Sequence, residues 1–83
     1  MAMVAVVFKV YPKEGDPIEA TVDNIKAQMS PANVLVEDLA FGIKVAKVLF
    51  KFDDSSGSSS ALEEQLRKVH GVGEVEVAEE SLV

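Results

Sequence analysis

"DLAFGIKVAKVLFKF", residues 38–52, holds two different patterns on either side of one glycine. After Gly42 the chain alternates. Ala46, Val48, Phe50 and Phe52 fall on one side of an extended strand and Val45, Lys47, Leu49 and Lys51 on the other, the period of two expected of a half-buried strand. Before Gly42 stand Leu39, Ala40 and Phe41, apolar residues with no such period. The pattern predicts a strand over residues 43–52, entered through a turn over residues 39–42. Phe41 then has two readings. It folds back to cap the core, at an end of the sheet that helices do not easily cover, or it stands outside for a partner. The physics of an apolar ring, taken alone, leans to the core cap.

Working outward, residues 33–37 read as a short strand leading into that turn. Upstream, residues 3–11 are rich in β-branched and aromatic types, with Val4, Val6, Phe8 and Val10 on one face and Met3, Ala5, Val7, Lys9 and Tyr11 on the other. The even face is the better core face. "DPIE", residues 16–19, reads as a helix start, with Asp16 as N-cap, Pro17 at the first helical position and Glu19 closing a capping box. Ile18, Val22, Ile25 and Met29 follow as one helical stripe, stopped by Ser30-Pro31. Downstream, "DDSSGSSS", residues 53–60, is a low-complexity connection whose Ser60 forms a second capping box with Glu63. A second helix to about His70 turns Leu62, Leu66 and Val69 inward, pairs Glu63 with Arg67 and Glu64 with Lys68, and ends at Gly71. Residues 73–80 form a last strand with Val75 and Val77 inward and Glu74 and Glu76 outward.

The order is strand, helix, strand, strand, helix, strand, two split β-α-β units in one domain spanning residues 1–83. Right-handed crossovers then favour an α+β, ferredoxin-like plait: a four-stranded antiparallel sheet in the order 4-1-3-2 with both helices on one face. The other face is left open. There Lys9, Lys47 and Lys51 are expected to meet Glu74 and Glu76 across strands, among Ala5, Val7, Val45 and Leu49. A solvated face is the ordinary reading, and a weak homodimer contact the other.

Composition bounds the function. The apolar fraction of 48% and charged fraction of 27% are those of a globular chain, and 83 residues leave little room for a deep enclosed site beside the core. A net charge of -6 argues against direct nucleic-acid binding and for a partner with a basic surface. Cysteine is absent, so neither disulfides nor thiolate metal sites are available. "MAMVAVVFKV" lacks a basic leader and a cleavage site, and nothing approaches the length of a membrane span, so a cytoplasmic location is expected.

The chemical inventory points away from catalysis, metal and cofactor. His70 is the one histidine, placed where it suits a helix C-terminus. The glutamates fall on helix starts or an outward strand face. Asp53 and Asp54 with the loop serines offer too few fixed ligands for a cation site. "SSGSSS", residues 55–60, has no lysine or arginine with which to hold phosphate, and the single arginine, Arg67, lacks the asparagine arrangement of a small acid-phosphate hydrolase.

"AFGIKVAKVLFKFDD", followed by a capped helix and a final "VGEVEV" strand, resembles the guanine-nucleotide exchange domain of elongation factor 1-beta, especially its small archaeal form. The resemblance covers essentially the whole chain. Its most specific piece is Ala40-Phe41-Gly42-Ile43-Lys44, and Asp53-Asp54 is the second. Three features depart from the family pattern, one of them a short loop before the motif. Asp38 stands where the family usually has proline, and the chain ends Glu79-Glu80-Ser81-Leu82-Val83, without the lysine that eukaryotic relatives carry near the C-terminus and that is held to disturb the partner's magnesium site. The lysine mechanism therefore does not carry over to Leu82. What the resemblance implies is a factor that promotes GDP release from the GTPase elongation factor 1-alpha during translation, with no covalent chemistry of its own. It makes Phe41 the anchor, Gly42 the residue that lets the turn present it, Leu39 and Ala40 its flanks, and Lys44, Leu82 and Val83 secondary contacts.

The competing class is a small-ligand-binding or regulatory plait that dimerises through the open face. "HGVGEVEV" suits that class equally, but such domains usually place their ligand-binding glycine turn after the first strand, where this chain has "YPKEGD", residues 11–16. Phe-Gly-Ile-Lys separates the two.

Overall fold

The computed structural model describes residues 2–53 and 59–82, and of Ala40 the backbone alone. Strand β1 is Met3–Pro12, helix α1 Ile18–Met29, β2 Asn33–Asp38, β3 Lys44–Asp53, α2 Ser59–Arg67 and β4 Val72–Leu82, with a 3-10 turn at Ala40–Gly42. The sheet runs β2-β3-β1-β4 with every neighbouring pair antiparallel, which is the expected plait. Among the described residues no helix is long and apolar enough to cross a membrane.

The even face of β1 is the core. Val6, Phe8 and Val10 are fully buried with Ala46, Val48 and Phe50 of β3, Ile18, Val22 and Ile25 of α1, Leu66 of α2 and Val75 of β4. Phe8 and Phe50 meet edge to face, ring centroids 5.9 Å apart, as a diagonal pair on adjacent strands. Such geometry adds about 0.5–1.5 kcal/mol to the burial of the two rings. Helix α1 lies over β1 and β3, and α2 lies against β4.

Two caps, the end of α2 and two pairings differ from expectation. Asp16 does not cap α1: its N–H closes a turn onto the Lys13 carbonyl at 3.0 Å, so the helix starts one residue later, with extended Pro17 as N-cap and no side-chain cap. A proline there sacrifices nothing, because the N-cap N–H takes no part in the helical ladder. Ser60 is likewise inside α2, which already runs from Ser59, and so is not its N-cap. The helix ends at Arg67, and Val69, His70 and Gly71 follow in tight turns. On the open face Lys47 pairs with Glu37 of β2 at 3.1 Å, and Glu74 pairs with Arg67 at 3.6 Å. Of the expected contacts of Lys9, Lys47 and Lys51 with Glu74 and Glu76, the register sets Lys9 opposite Glu76, whereas β1 lies between β3 and β4 and keeps Lys47 and Lys51 from being cross-strand neighbours of either glutamate. The expected Glu63–Arg67 pair forms at 3.8 Å, and Arg67 also donates to the Val75 carbonyl, so this side chain ties α2 to β4.

Strand β4 departs once more. Its pairing with β1 skips a residue twice: Gly73, between Pro12 opposite Val72 and Tyr11 opposite Glu74, and Ala78, a bulge between Phe8 opposite Val77 and Val7 opposite Glu79. Val77, expected inward, is half-exposed as the strand bends away there. Beyond the bulge the ladder continues through Ser81 opposite Ala5 and Leu82 opposite Val4, so what the sequence suggested as a tail is strand.

Candidate functional site

The turn between β2 and β3 is closed by one backbone bond, the Leu39 N–H donating to the Ile43 carbonyl at 2.6 Å. Within it two successive residues are left-handed: Phe41 with φ 64° and Gly42 with φ 75°. For glycine this is free of steric cost. For phenylalanine it costs about 1–2 kcal/mol. The turn nonetheless puts the aromatic ring where nothing covers it, since Phe41 is 99% exposed. The core-cap reading of Phe41 is overturned. With the helices over β1, β3 and β4, no element among the described residues covers the ring.

Leu39 and Ile43 flank Phe41, both exposed, so residues 39, 41 and 43 make a small apolar crown at the tip. Ile43, part of the Ala40–Lys44 motif but not among the expected contact residues, joins this exposed group. The signal was its spacing, two residues from Phe41 with Gly42 between. Lys44 stands at the first rung of the β2–β3 ladder, opposite Asp38. Beside Gly42, Ile43 and Lys44 lies an open depression of about 430 Å³, walled by the end of β1 and the β1–α1 connection from Tyr11 to Ile18.

The expected site residues are not all brought together. Leu82 is exposed, at 70%, but it pairs with Val4, whereas the Phe41 turn lies beyond the rung that joins Val10 to Ala46. Val4 to Val10 along β1 and then Ala46 to Lys44 along β3, at about 3.3 Å per residue, amount to about 25 Å. Leu82 and Phe41 therefore mark opposite ends of the sheet. Val83 lies outside the described residues, as do Asp54 and most of the serine loop, so the cation-site reading of Asp53 and Asp54 falls there too.

A turn whose backbone is held in a costly conformation to expose an aromatic ring has no return in stability, and comparison with known proteins gives it a context. The model of the EF-1 guanine nucleotide exchange domain matches residues 5–83. The chain belongs to this family. Curated relatives extend the match over nearly their whole length. An elongation factor 1-beta from Methanosphaerula palustris is 36% identical over 99% of this chain and 99% of its own, and one from Aeropyrum pernix is 39% identical over 93% and 92%. One from Pyrobaculum arsenaticum is 36% identical over 92% of this chain and 89% of its own. The exchange-domain family match runs from within β1, at Ala5, through the Phe41 turn to the end of β4.

Proposed function

We propose that this chain is a guanine-nucleotide exchange factor for elongation factor 1-alpha, and that it acts by binding alone. The observation that carries the reading is Phe41, fully exposed and left-handed at the tip of a member of an exchange-domain family. An exchange factor holds the nucleotide-free GTPase more tightly than the loaded one, and by linkage it weakens nucleotide binding by the same factor. A thousandfold faster GDP release corresponds to about 4 kcal/mol of such preference. An aromatic anchor that seats in a partner pocket supplies about 2 kcal/mol or more of binding. The ring is already presented, so little ordering entropy opposes the contact.

Phe41, with Leu39, Ala40, Gly42, Ile43 and Lys44, forms the principal contact. The strand end at Leu82 forms a second, about 25 Å away by the strand rise, and Val83, which follows it in sequence, is proposed to add to that contact. A GTPase that touches both lies along the length of the sheet. The acidic surface, net charge -6, steers the encounter with a basic partner surface.

The test is the rate of GDP release from elongation factor 1-alpha with and without this chain. Acceleration is expected, with an association rate that falls as salt rises. An unchanged release rate would overturn the proposal, and an association rate flat in salt would remove steering from it.

A further inference from the structure

The two edges of the sheet are unequally defended. β4 carries Glu74, Glu76, Glu79 and Glu80 and the bulge at Ala78, the devices that keep an edge from pairing with another chain. Over Val34-Leu35-Val36, β2 has no charge, no proline and no bulge, and Leu35 and Val36 are 60% and 47% exposed. Its backbone is available as well. The Leu39–Ile43 bond fixes that rung as a hydrogen-bonded one. Alternation along an antiparallel ladder then turns the backbone groups of Glu37, Leu35 and Asn33 toward β3 and those of Val34, Val36 and Asp38 outward. The Val34 N–H agrees in direction, since it donates to the Asn33 side chain at 3.0 Å in an exposed bond, one that pairing with a second copy would replace.

We propose that β2 is a self-association edge, on which two copies pair β2 with β2 antiparallel about a two-fold axis at Leu35. This independent surface does not rest on the exchange reading. The register is chosen by its contacts. With the axis at Leu35, that residue meets its own copy on the open face, Val34 meets Val36 of the second copy on the helix side, and Asn33 meets Glu37. Moving the axis to Val36 would set Leu35 against Glu37 and Val34 against Asp38, leaving carboxylates on apolar neighbours. Opposite residues of an antiparallel pair share a face, so axes between residues are excluded. Because α1 lies over β1 and β3 and α2 against β4, the helix side of β2 is clear at Val36. The antiparallel arrangement also sends the two Phe41 turns to opposite ends, so both stay exposed.

A six-residue edge is a small interface and the dimer is weak. Each copy carries a net charge of -6, so salt screens the repulsion and strengthens the dimer. The full chain is examined by sedimentation equilibrium up to about 1 mM, where even a −4 kcal/mol association is populated. The mass should rise toward the dimer with concentration, and more so in high salt. Leu35→Glu and Leu35→Lys each place like charges on the axis and should weaken association at least tenfold, while their equimolar mixture restores it. Both variants should keep the wild-type circular dichroism, since Leu35 is exposed in the single copy. A wild-type chain that stays monomeric at ~1 mM in high salt would overturn the proposal. So would either charge variant that still dimerises, or a mixture that does not. Phe41→Ala should dimerise like wild type; its failure would move the contact to the exposed ring and off β2.

Discussion

Phe50 and Phe41 are the same residue type on the two sides of Gly42, and they have opposite fates. Phe50 is 6% exposed, edge-on to Phe8 in the sheet's core face, whereas Phe41 is 99% exposed on a left-handed backbone. One ring contributes to stability and the other subtracts from it. The difference lies less in the residue than in the backbone beneath it. An extended strand with a helix above it buries every second side chain, and a turn beyond the last rung has nothing above it.

The largest effect that would break this contrast is expected at Phe50. Phe50→Ala should cost about 3–5 kcal/mol of stability and lower Tm sharply, without specifically impairing the fraction that stays folded. Phe41→Ala should leave thermal unfolding nearly unchanged and weaken binding to the nucleotide-free GTPase by about 2 kcal/mol, roughly thirtyfold. If the variant is instead strongly destabilised and its folded fraction exchanges normally, the contrast fails. Phe41→Gly sharpens the comparison, because it relieves the left-handed strain while removing the ring. It should stabilise the free domain by about 0.5–1 kcal/mol, net of glycine's greater freedom in the unfolded chain, and abolish the anchor contact. Calorimetry reads the first, and GDP release the second. Removing residues 81–83 should have the smallest effect, with exchange reduced less than about threefold, within 0.7 kcal/mol. Loss of nearly all activity with native circular dichroism would make the Leu82 end the dominant contact.

Period and punctuation made the architecture legible. Val4 to Val10 and Ala46 to Phe50 alternate, Ile18, Val22 and Ile25 repeat helically, and Ser30-Pro31 stops its helix as expected, whereas α2 ends at Arg67, short of the left-handed Gly71. Caps were less legible, because Asp16 can either cap a helix or close the turn before it, and only the chain's path over Lys13 decides. The bulge at Ala78 was hidden for a similar reason. "EVEVAEE" alternates up to Val77 and then simply stops alternating, which gives no sign that β4 continues through Leu82. At the candidate site the motif was legible and the geometry was not. Phe41-Gly42 marks a turn in any reading, but whether its ring has a roof depends on helix placement. The separation of Leu82 from Phe41 depends on strand register.

The Gly71 carbonyl accepts from two distant parts of the chain, the Lys13 N–H at 2.8 Å and the Thr21 hydroxyl at 3.1 Å. Thr21 is fully buried, and a β-carbon at Gly71 would sit 3.0 Å from its hydroxyl oxygen. This one oxygen laces the β1–α1 connection to the turn before β4. Lys13 also walls the depression beside Gly42. Its amide, in an exposed loop, should therefore exchange with solvent deuterium as slowly as those of the central strands. The wall of the depression beside Gly42 would then open only when the whole domain does.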